Sequence, residues 1–384
     1  MEEMGNPVKQ VVISGYYGFR NSGDEAVLQS ILQALEAEGK ASGVAVEPVV
    51  LSGDPELTSR MYGVKAVHRM KPREVWRALR GCDGLISGGG SLLQDATGWK
   101  TIPYYLAVLK LAQWLRKPTF IYAQGLGPVN RSVFFNPIVT TFAKCAYVSV
   151  RDKESANLLA RMGYTKDVEV VPDPVMGLPL REQDLANGRD LTGQGGASVA
   201  ERPAVIGVSV RQWNKDGSDL KGIAQSLELV AAEYPQGITL RFLPFHPPGD
   251  AEASGEVIRQ LKAAGVKGDI SLISDVEHPQ AMLQEVASCD LLIGMRLHSL
   301  IYGASQEVPV VAISYDPKID QFMRRLDASA ASSTEELDAR AVADEVLRLL
   351  HAGPEWHSAR AKRIHNLKQE ARRPAQQIVA QLRL

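Results

Sequence analysis

Six short motifs of this chain either contain glycines or carry charged or titratable side chains, and each occurs at the end of an apolar segment. They occupy residues 14–25, 87–95, 124–128, 150–152, 295–299 and 314–318. Short apolar segments bounded by turn residues are typical of buried strands. Ligands of open α/β sheets bind at the carboxyl ends of the strands. We therefore expect these motifs to line binding sites, and their residue types favour the binding of anions.

The motif at 295–299 points most directly to catalysis. Its sequence, Met-Arg-Leu-His-Ser, follows an apolar strand and opens a predicted helix, so Arg296 and His298 fall in the first helical turn. A helix N-terminus with an arginine binds anions, and a histidine exchanges protons near neutral pH. A purely structural histidine is the alternative. The neighbouring arginine favours the functional interpretation.

Two further cations follow other predicted strands. Arg151 stands at the end of one apolar strand, and Lys318 comes shortly after another. An arginine in such a position suits a carboxylate or a phosphate. The alternatives are an ion pair between Arg151 and Asp152 within the loop, and a Lys318 side chain solvated at the surface.

The glycine motifs would let the backbone come close to a ligand. In residues 14–25 a glycine-rich turn opens a helix, but Tyr17 stands where a GxGxxG motif has its second glycine. The chain has no Walker A sequence either. A tight turn with Asp24 as the helix cap is the alternative. Glycines at 88–90 follow a buried strand and are costly unless backbone must approach something there, with a flexible loop as the alternative.

Short apolar segments alternate with segments of helical period along the chain. The predicted strands are 10–14, 46–51, 84–87, 119–123, 147–150, 204–210, 238–243, 290–294 and 308–313. The predicted helices include 24–38, 103–115, 220–234, 251–264 and 278–288. This alternation predicts an α/β fold with two Rossmann-like domains of parallel strands that face a cleft. A glycine-rich break separates them, which gives an N-terminal domain at 1–178, a linker at 179–203, a C-terminal domain at 204–350 and a helical tail at 351–384.

Composition excludes several classes of protein. The chain has 384 residues, 45% hydrophobic and 23% charged, which is ordinary for a folded protein of two domains. A net charge of −1 argues against a general nucleic-acid binder. The three cysteines are scattered, and neither a signal peptide nor an apolar run of membrane-spanning length is visible. These features predict a reduced, cytoplasmic protein.

The tail is the one strongly basic segment. Residues 351–384 carry seven Lys and Arg against two Glu, a net charge of +5. Pro374 interrupts the helical period and predicts two helical pieces. One interpretation is a closing helix that packs back across the domains. The other adds contact between its basic face and anionic lipid at the inner face of the cell membrane.

Taken together, the motifs at 18–25, 88–91, 124–128, 151–152, 295–299 and 315–318 closely resemble the polysaccharide pyruvyl transferase family. Within it the chain is most similar to the CsaB type, which acts on secondary cell-wall polymers. The resemblance implies a glycosyltransferase-B-like fold and phosphoenolpyruvate as a co-substrate, with no cofactor. The implied product is a 4,6-linked pyruvate ketal on β-N-acetylmannosamine of a lipid-linked disaccharide precursor, for polymers that anchor S-layer proteins.

Phosphoenolpyruvate carries a carboxylate and a phosphate, so its binding needs clustered cations and helix N-termini. We expect His298 to be the acid and base, and Arg151, Arg296 and Lys318 to hold the donor. The expected donor-binding set is Arg151, Arg296, Leu297, His298 and Lys318, and all but Leu297 are expected to be catalytic. The expected acceptor-binding set is Ser14, Gly18, Asn21, Gly89 and Gly90.

No metal is expected, because the chain has neither an Asp-x-Asp motif nor a His/Asp spacing typical of metal sites. Two alternative functions remain open from sequence. A nucleotide-sugar glycosyltransferase of the same fold is the first alternative function. A non-catalytic carbohydrate-binding protein that uses the same site is the second.

Overall fold

A computed structural model of the chain describes residues 7–96, 98, 100–181, 202–274 and 276–383. It divides the protein into two compact units. The first unit comprises Met1–Leu178 and Leu367–Leu384, and the second comprises Pro179–Asn366. The predicted linker at 179–203 therefore lies mostly outside the described residues. No helix in the described part of the chain is long and apolar enough to cross a membrane.

The first unit is built on a seven-stranded sheet in which every neighbouring pair is parallel. Its strands are β1 (Val8–Tyr17), β2 (Ala45–Ser52), β3 (Lys65–His68), β4 (Gly84–Gly88), β5 (Thr119–Gln124), β6 (Tyr147–Val150) and β7 (Glu169–Val170). Their order is β3-β2-β1-β4-β5-β6-β7. Strands β4 and β5 are buried at every residue, as a parallel sheet with covered faces requires.

In the described part of the chain, seven α-helices accompany this sheet. They are α1 (Ser22–Ser42), α2 (Pro55–Tyr62), α3 (Pro72–Gly81), α4 (Thr101–Trp114), α5 (Phe135–Phe142), α6 (Lys153–Arg161) and, from the chain terminus, α14 (Arg373–Leu382). Apolar side chains of α4 such as Ile102 and Leu109 are fully or almost fully buried in the same core as Leu85 and Ile121 of the sheet. That burial is the main force that holds helices and sheet together.

The second unit repeats the design with six parallel strands. They are β8 (Ala204–Ser209), β9 (Ile238–Phe242), β10 (Asp269–Leu272), β11 (Leu291–Gly294), β12 (Val310–Ser314) and β13 (Ser332–Ser333), in the order β10-β9-β8-β11-β12-β13. The helices are α7 (Ser218–Glu233), α8 (Gly249–Ala263), α9 (Pro279–Ala287), α10 (Leu297–Ser305), α11 (Pro317–Arg325) and α12 (Ala339–His351). Helix α13 (Gly353–Glu370) begins in this unit and ends in the first.

Each sheet reverses its winding once, between its first and fourth strands in chain order. In the first unit this point lies between β1 and β4, where Ser14 is aligned with Ser87. In the second it lies between β8 and β11, where Ser209 is aligned with Gly294. Ligands of doubly wound folds bind at the carboxyl ends of the strands at such points. Motifs singled out in the sequence follow β1, β4 and β11 and therefore begin at these two positions.

The tail folds into two helices, and Pro374 lies in the first turn of the second, where a missing N–H costs nothing. Its apolar side chains are covered, as Trp356, Ile364, Leu367 and Ile378 are all less than 5% exposed. Helix α14 packs on α1 in the first unit. The apolar side chains of the tail are therefore buried, and its last helix lies against the first unit.

Candidate functional site

The turn after β1 is held by polar contacts from α1. Asn21 caps the helix, and its side chain accepts a hydrogen bond from the Gly23 amide at 3.1 Å. The suggested cap at Asp24 is therefore wrong, because Asp24 lies three residues beyond the cap. Gly18 has a φ of +79°, and its amide donates to Oε1 of the buried Glu25 at 2.8 Å. Gly18 and Asn21 thus shape the turn, whether or not they also touch an acceptor.

The glycines after β4 bring backbone against α1. Gly89 has a φ of +35°, and a Cβ there would lie 2.0 Å from Cγ1 of Val27. Gly90 has a φ of +69°, and a Cβ there would lie 2.8 Å from Oδ1 of Asp24. Residues 84–90 are all buried, which does not fit the flexible loop considered as an alternative. The close approach expected from the three glycines is real, and its partner is α1.

This packing places the Asp24 carboxyl beside the β4 loop at the reversal point. The pKa of Asp24 is raised to about 7, mainly by burial and also by the neighbouring Glu25, while Arg151 opposes the shift. Two buried hydroxyls of β1, Ser14 Oγ and Tyr17 Oη, have no hydrogen-bond partner among the described residues. Buried polar atoms of this kind usually find partners. The first unit therefore presents a titratable carboxyl near neutral pH and two unsatisfied hydroxyls, groups suited to a sugar.

Arg151 is buried, 7% exposed, and is bound on three sides within the first unit. Its Nη1 lies 3.4 Å from Asp173, its Nε lies 3.5 Å from Asp152, and its Nη2 donates to Ser91 Oγ at 2.9 Å. A Cβ at Gly125 would lie 2.8 Å from the Arg151 Nε, so the glycine in the 124–128 motif makes room for the guanidinium. The loop ion pair considered as an alternative is therefore present.

An aromatic cluster in the same unit escaped the sequence analysis. Tyr16 and Phe19 stack at 4.2 Å and are 42% and 44% exposed. The Arg69 guanidinium lies over the rings of both, and over Tyr104 at 4.3 Å. Partly exposed aromatic side chains beside a cation are candidates for contact with a sugar. Aromatic residues within a glycine-rich turn were a visible signal, whereas nothing in the sequence marks Arg69.

In the second unit Arg296 is the N-cap residue of α10 and is bound by an acid that sequence reasoning missed. Its Nε donates to Oδ2 of Asp250 at 3.0 Å, and Nη2 makes a second contact to the same carboxylate. Asp250, on α8, is 1% exposed and also accepts from the His246 amide at 2.9 Å. This bidentate pair orients the guanidinium but occupies one edge of it.

The remaining predicted donor residues lie in the first turns of two neighbouring helices. Leu297 and His298 are partly exposed and begin α10, directly after β11. Lys318 begins α11 after β12, and its amide donates to the Asp316 cap at 2.9 Å. The positive ends of both helices face the carboxyl edge of the sheet. The arrangement favours an anion near a group that can carry a proton.

Each unit brings its own part of the predicted site together. Ser14, Gly18, Asn21, Gly89 and Gly90 all lie at the reversal point of the first unit. Arg296, Leu297, His298 and Lys318 lie at the carboxyl edge of the second. Arg151, predicted to bind the donor with them, belongs to the first unit. No group of three or more potential metal ligands occurs in the described parts of the chain.

Comparison with known proteins identifies the family of this chain. The sequence profile of polysaccharide pyruvyl transferases matches residues 21–317. The chain belongs to the polysaccharide pyruvyl transferase family. A relative, the amylovoran biosynthesis protein AmsJ of Erwinia amylovora, is 20% identical over 363 residues, which cover 83% of this chain and 86% of AmsJ. Family membership supports a transferase that acts on polysaccharide.

Solved structures share the fold of this pyruvyl transferase family member. The UDP-GlcNAc 2-epimerase of Neisseria meningitidis matches with a TM-score of 0.63 at 13% identity, over 97% of this chain and 99% of that chain. A glycosyltransferase of Rickettsia africae matches with a TM-score of 0.63 at 11% identity, over 97% and 98%. At such identities the likeness concerns the fold alone. It establishes a glycosyltransferase-B-like fold of two parallel-sheet α/β domains.

Proposed function

We propose that this protein transfers the pyruvyl group of phosphoenolpyruvate to two hydroxyls of one sugar, forming a cyclic ketal and releasing phosphate. The observation that carries the proposal is the family match over residues 21–317. The residues at the carboxyl edge of the second unit suit such a donor. An arginine at the N-cap of α10, a histidine in the first turn of that helix and a lysine in the first turn of α11 can together bind a carboxylate and a phosphate.

In the proposed reaction a protonated His298 delivers its proton to the methylene carbon of phosphoenolpyruvate. The double bond is lost, and positive charge develops at C2, which a sugar hydroxyl attacks to form the first C–O bond. A second hydroxyl then attacks C2, the bond from C2 to the phosphate oxygen breaks, and phosphate leaves. The two hydroxyl protons are taken by basic groups, and cations stabilise the leaving phosphate.

The proposed acceptor is the β-N-acetylmannosamine of a lipid-linked cell-wall precursor, with a 4,6-ketal as the product. The resemblance to the CsaB type supports this choice. AmsJ, in contrast, is named for amylovoran biosynthesis. Fragments of such an exopolysaccharide therefore belong in any panel of acceptors. The unsatisfied hydroxyls of Ser14 and Tyr17 and the exposed rings of Tyr16 and Phe19 are the groups we expect the sugar to meet.

The test incubates the full chain with phosphoenolpyruvate and each acceptor. We expect release of inorganic phosphate that depends on both substrates, and a product heavier by one pyruvate less one water. A parallel set supplies UDP-sugars in place of phosphoenolpyruvate, because a glycosyltransferase of this fold is the competing function. Release of UDP with transfer of a sugar, and none of phosphate from phosphoenolpyruvate, would overturn the proposal. Acceptor binding without turnover of either donor would instead favour a carbohydrate-binding protein.

A further inference from the structure

Arg211 in the second unit is a cation that has no acidic partner among the described residues. It follows β8, and its one hydrogen bond within that part of the chain runs from Nη1 to the Tyr315 hydroxyl at 3.0 Å. Its Nε is buried and has no acceptor there. An arginine donor shielded from water and left without an acceptor is costly. The cost is offset if a ligand supplies the missing acceptor.

The other arginines of the candidate site differ in this respect. Arg296 has the edge formed by Nε and Nη2 against Asp250. Arg151 lies against Asp152 and Asp173. Arg211 therefore offers its Nε–Nη2 edge, the planar fork that matches a carboxylate, while Arg296 has that edge occupied.

The guanidinium of Arg211 is held in place by aromatic rings. It lies 5.0 Å from the centroid of the Trp213 ring and 4.8 Å from that of Tyr315, and these two rings are 4.6 Å apart. The loop that follows β8 is also fixed by hydrogen bonds. The fully buried Asp219 accepts from the amides of Trp213 at 2.7 Å and Asn214 at 3.2 Å. A side chain ordered before binding loses less entropy when the ligand arrives.

Strand order puts this arginine next to the helix that holds His298. Arg211 follows β8 and Tyr315 follows β12, and β11 lies between those strands in the sheet. The bond from Arg211 to Tyr315 therefore joins the two flanks of β11 at the edge where α10 begins. His298 lies in the first turn of that helix.

We propose that the Nε–Nη2 edge of Arg211 binds the carboxylate of the donor, with Trp213 and Tyr315 as its supports. This assignment rests on phosphoenolpyruvate as the donor. The phosphate of the donor is then bound by the N-terminus of α10 and by Lys318. The carboxylate and the phosphate of the donor are thus bound by different groups of the protein. This arrangement distinguishes the donor from a simple phosphate ester.

The test measures binding by calorimetry for the full chain and three variants. Its probes are phosphoenolpyruvate and vinyl phosphate, which keeps the enol phosphate but lacks the carboxylate. Arg211→Gln should weaken binding of phosphoenolpyruvate at least 10-fold, the usual size for loss of a charge-assisted contact, and leave that of vinyl phosphate unchanged. Arg211→Lys keeps the charge without the fork and should fall between wild type and Arg211→Gln. Arg259→Gln, an exposed arginine of α8 in the same unit, is the control and should bind both probes as wild type does.

Each other outcome overturns the assignment in a distinct way. Equal loss of both probes in Arg211→Gln would mean that Arg211 holds the phosphate. Unchanged affinity, with phosphate still released by wild type, would remove Arg211 from the donor site and leave the proposed function standing. A wild type that neither binds phosphoenolpyruvate nor releases phosphate would overturn the proposed function and this assignment together. If Arg211→Gln unfolds, Tyr315→Phe, which removes only the supporting hydroxyl, should still weaken phosphoenolpyruvate more than vinyl phosphate.

Discussion

At the scale of single residues, the acidic partners of the site arginines change what a substitution does. Sequence alone predicts that Arg296→Ala abolishes turnover and leaves the fold intact. In the structure this change leaves the carboxylate of Asp250, which is 1% exposed, without its cationic partner. Breaking a buried pair from one side is strongly destabilising, and Arg296→Ala should cost about 2–4 kcal/mol of unfolding free energy in urea titrations.

The double variant Arg296→Ala with Asp250→Asn separates stability from chemistry. It should recover most of that loss, because no buried charge is left unpaired, and should remain inactive. A single Arg296→Ala variant as stable as wild type would show that water already screens the pair.

His298 is the residue that we expect to exchange the proton. His298→Gln keeps a hydrogen-bonding side chain in the first turn of α10 but cannot titrate. Turnover should fall about 10²–10⁴-fold, and the limb of the pH–rate profile due to His298 should disappear. Phosphate release followed from pH 5 to 9 checks this. A near-normal rate with an unchanged profile would leave His298 a positioning residue only.

Asp24 should make stability depend on pH. Burial raises its pKa from 3.8 to about 7, so between these values the folded protein holds a proton that the unfolded chain has lost. Stability contributed by this group therefore falls as pH rises through that window. Asp24→Asn should remove much of the decline, leaving the variant about 1–3 kcal/mol more stable than wild type at pH 8 relative to the same comparison at pH 5. Urea unfolding at both pH values measures it, and parallel curves for the two proteins would contradict it.

At the scale of elements, the contact between the β4 loop and α1 is the tightest constraint that we identify at the candidate site. Gly89→Ala must drive a methyl group into Val27 while holding a φ of +35°. We expect a loss of about 2–4 kcal/mol. Gly63→Ala is the matched control, since it has a φ of +67° but nothing within 4 Å of its Cβ position. It should cost only about 1–2 kcal/mol.

Midpoints of urea unfolding for both alanine variants test the pair. Equal losses would mean that backbone conformation alone sets the cost. A larger loss at Gly89 would confirm that the close contact between the β4 loop and α1 requires a residue without a side chain. The same contact positions Asp24.

At the scale of the whole molecule, the basic tail remains a candidate for contact with anionic lipid. Some of its cations already have partners, as Arg363 donates to the Arg325 carbonyl at 2.6 Å and Arg373 lies 3.5 Å from Glu169. Lys362, Arg372 and Arg383 are exposed. Each basic residue near an anionic surface contributes about 1 kcal/mol, so these three would hold the protein near the proposed lipid-linked acceptor at low salt.

Sedimentation with anionic and neutral vesicles measures this attraction. Wild type should sediment with the anionic vesicles only, and less at high salt. Replacing Lys362, Arg372 and Arg383 by Gln should weaken binding. The control replaces the exposed Arg77, Lys110 and Lys144 of the first unit by Gln, which makes the same change in net charge. Equal sedimentation with both vesicle types, or equal loss in both variants, would leave the tail as packing alone.

Most of the elements, and the motifs that follow them, are predicted by the amino-acid sequence, but the short strands β3, β7, β10 and β13 are not. The predicted strands and helices named from apolar period are present, with ends that differ by a few residues, because alternation and period are local properties. Glycines at 88–90 and the cations after β6, β11 and β12 were visible for the same reason. These features were enough to predict two parallel α/β domains and a resemblance to one family.

The partner of each cation, in contrast, follows from the folded arrangement of the chain. Arg296 binds Asp250 across 46 residues of sequence, and Arg211 binds Tyr315 across 104. Such partners depend on strand order, and no local pattern records which strands become neighbours. Arg296 was therefore predicted without its partner Asp250, and Arg151 without its second acid Asp173, while Arg211 was not predicted at all. Arg211 is distinguished by having no acidic partner among the described residues, and this property exists only in the folded chain.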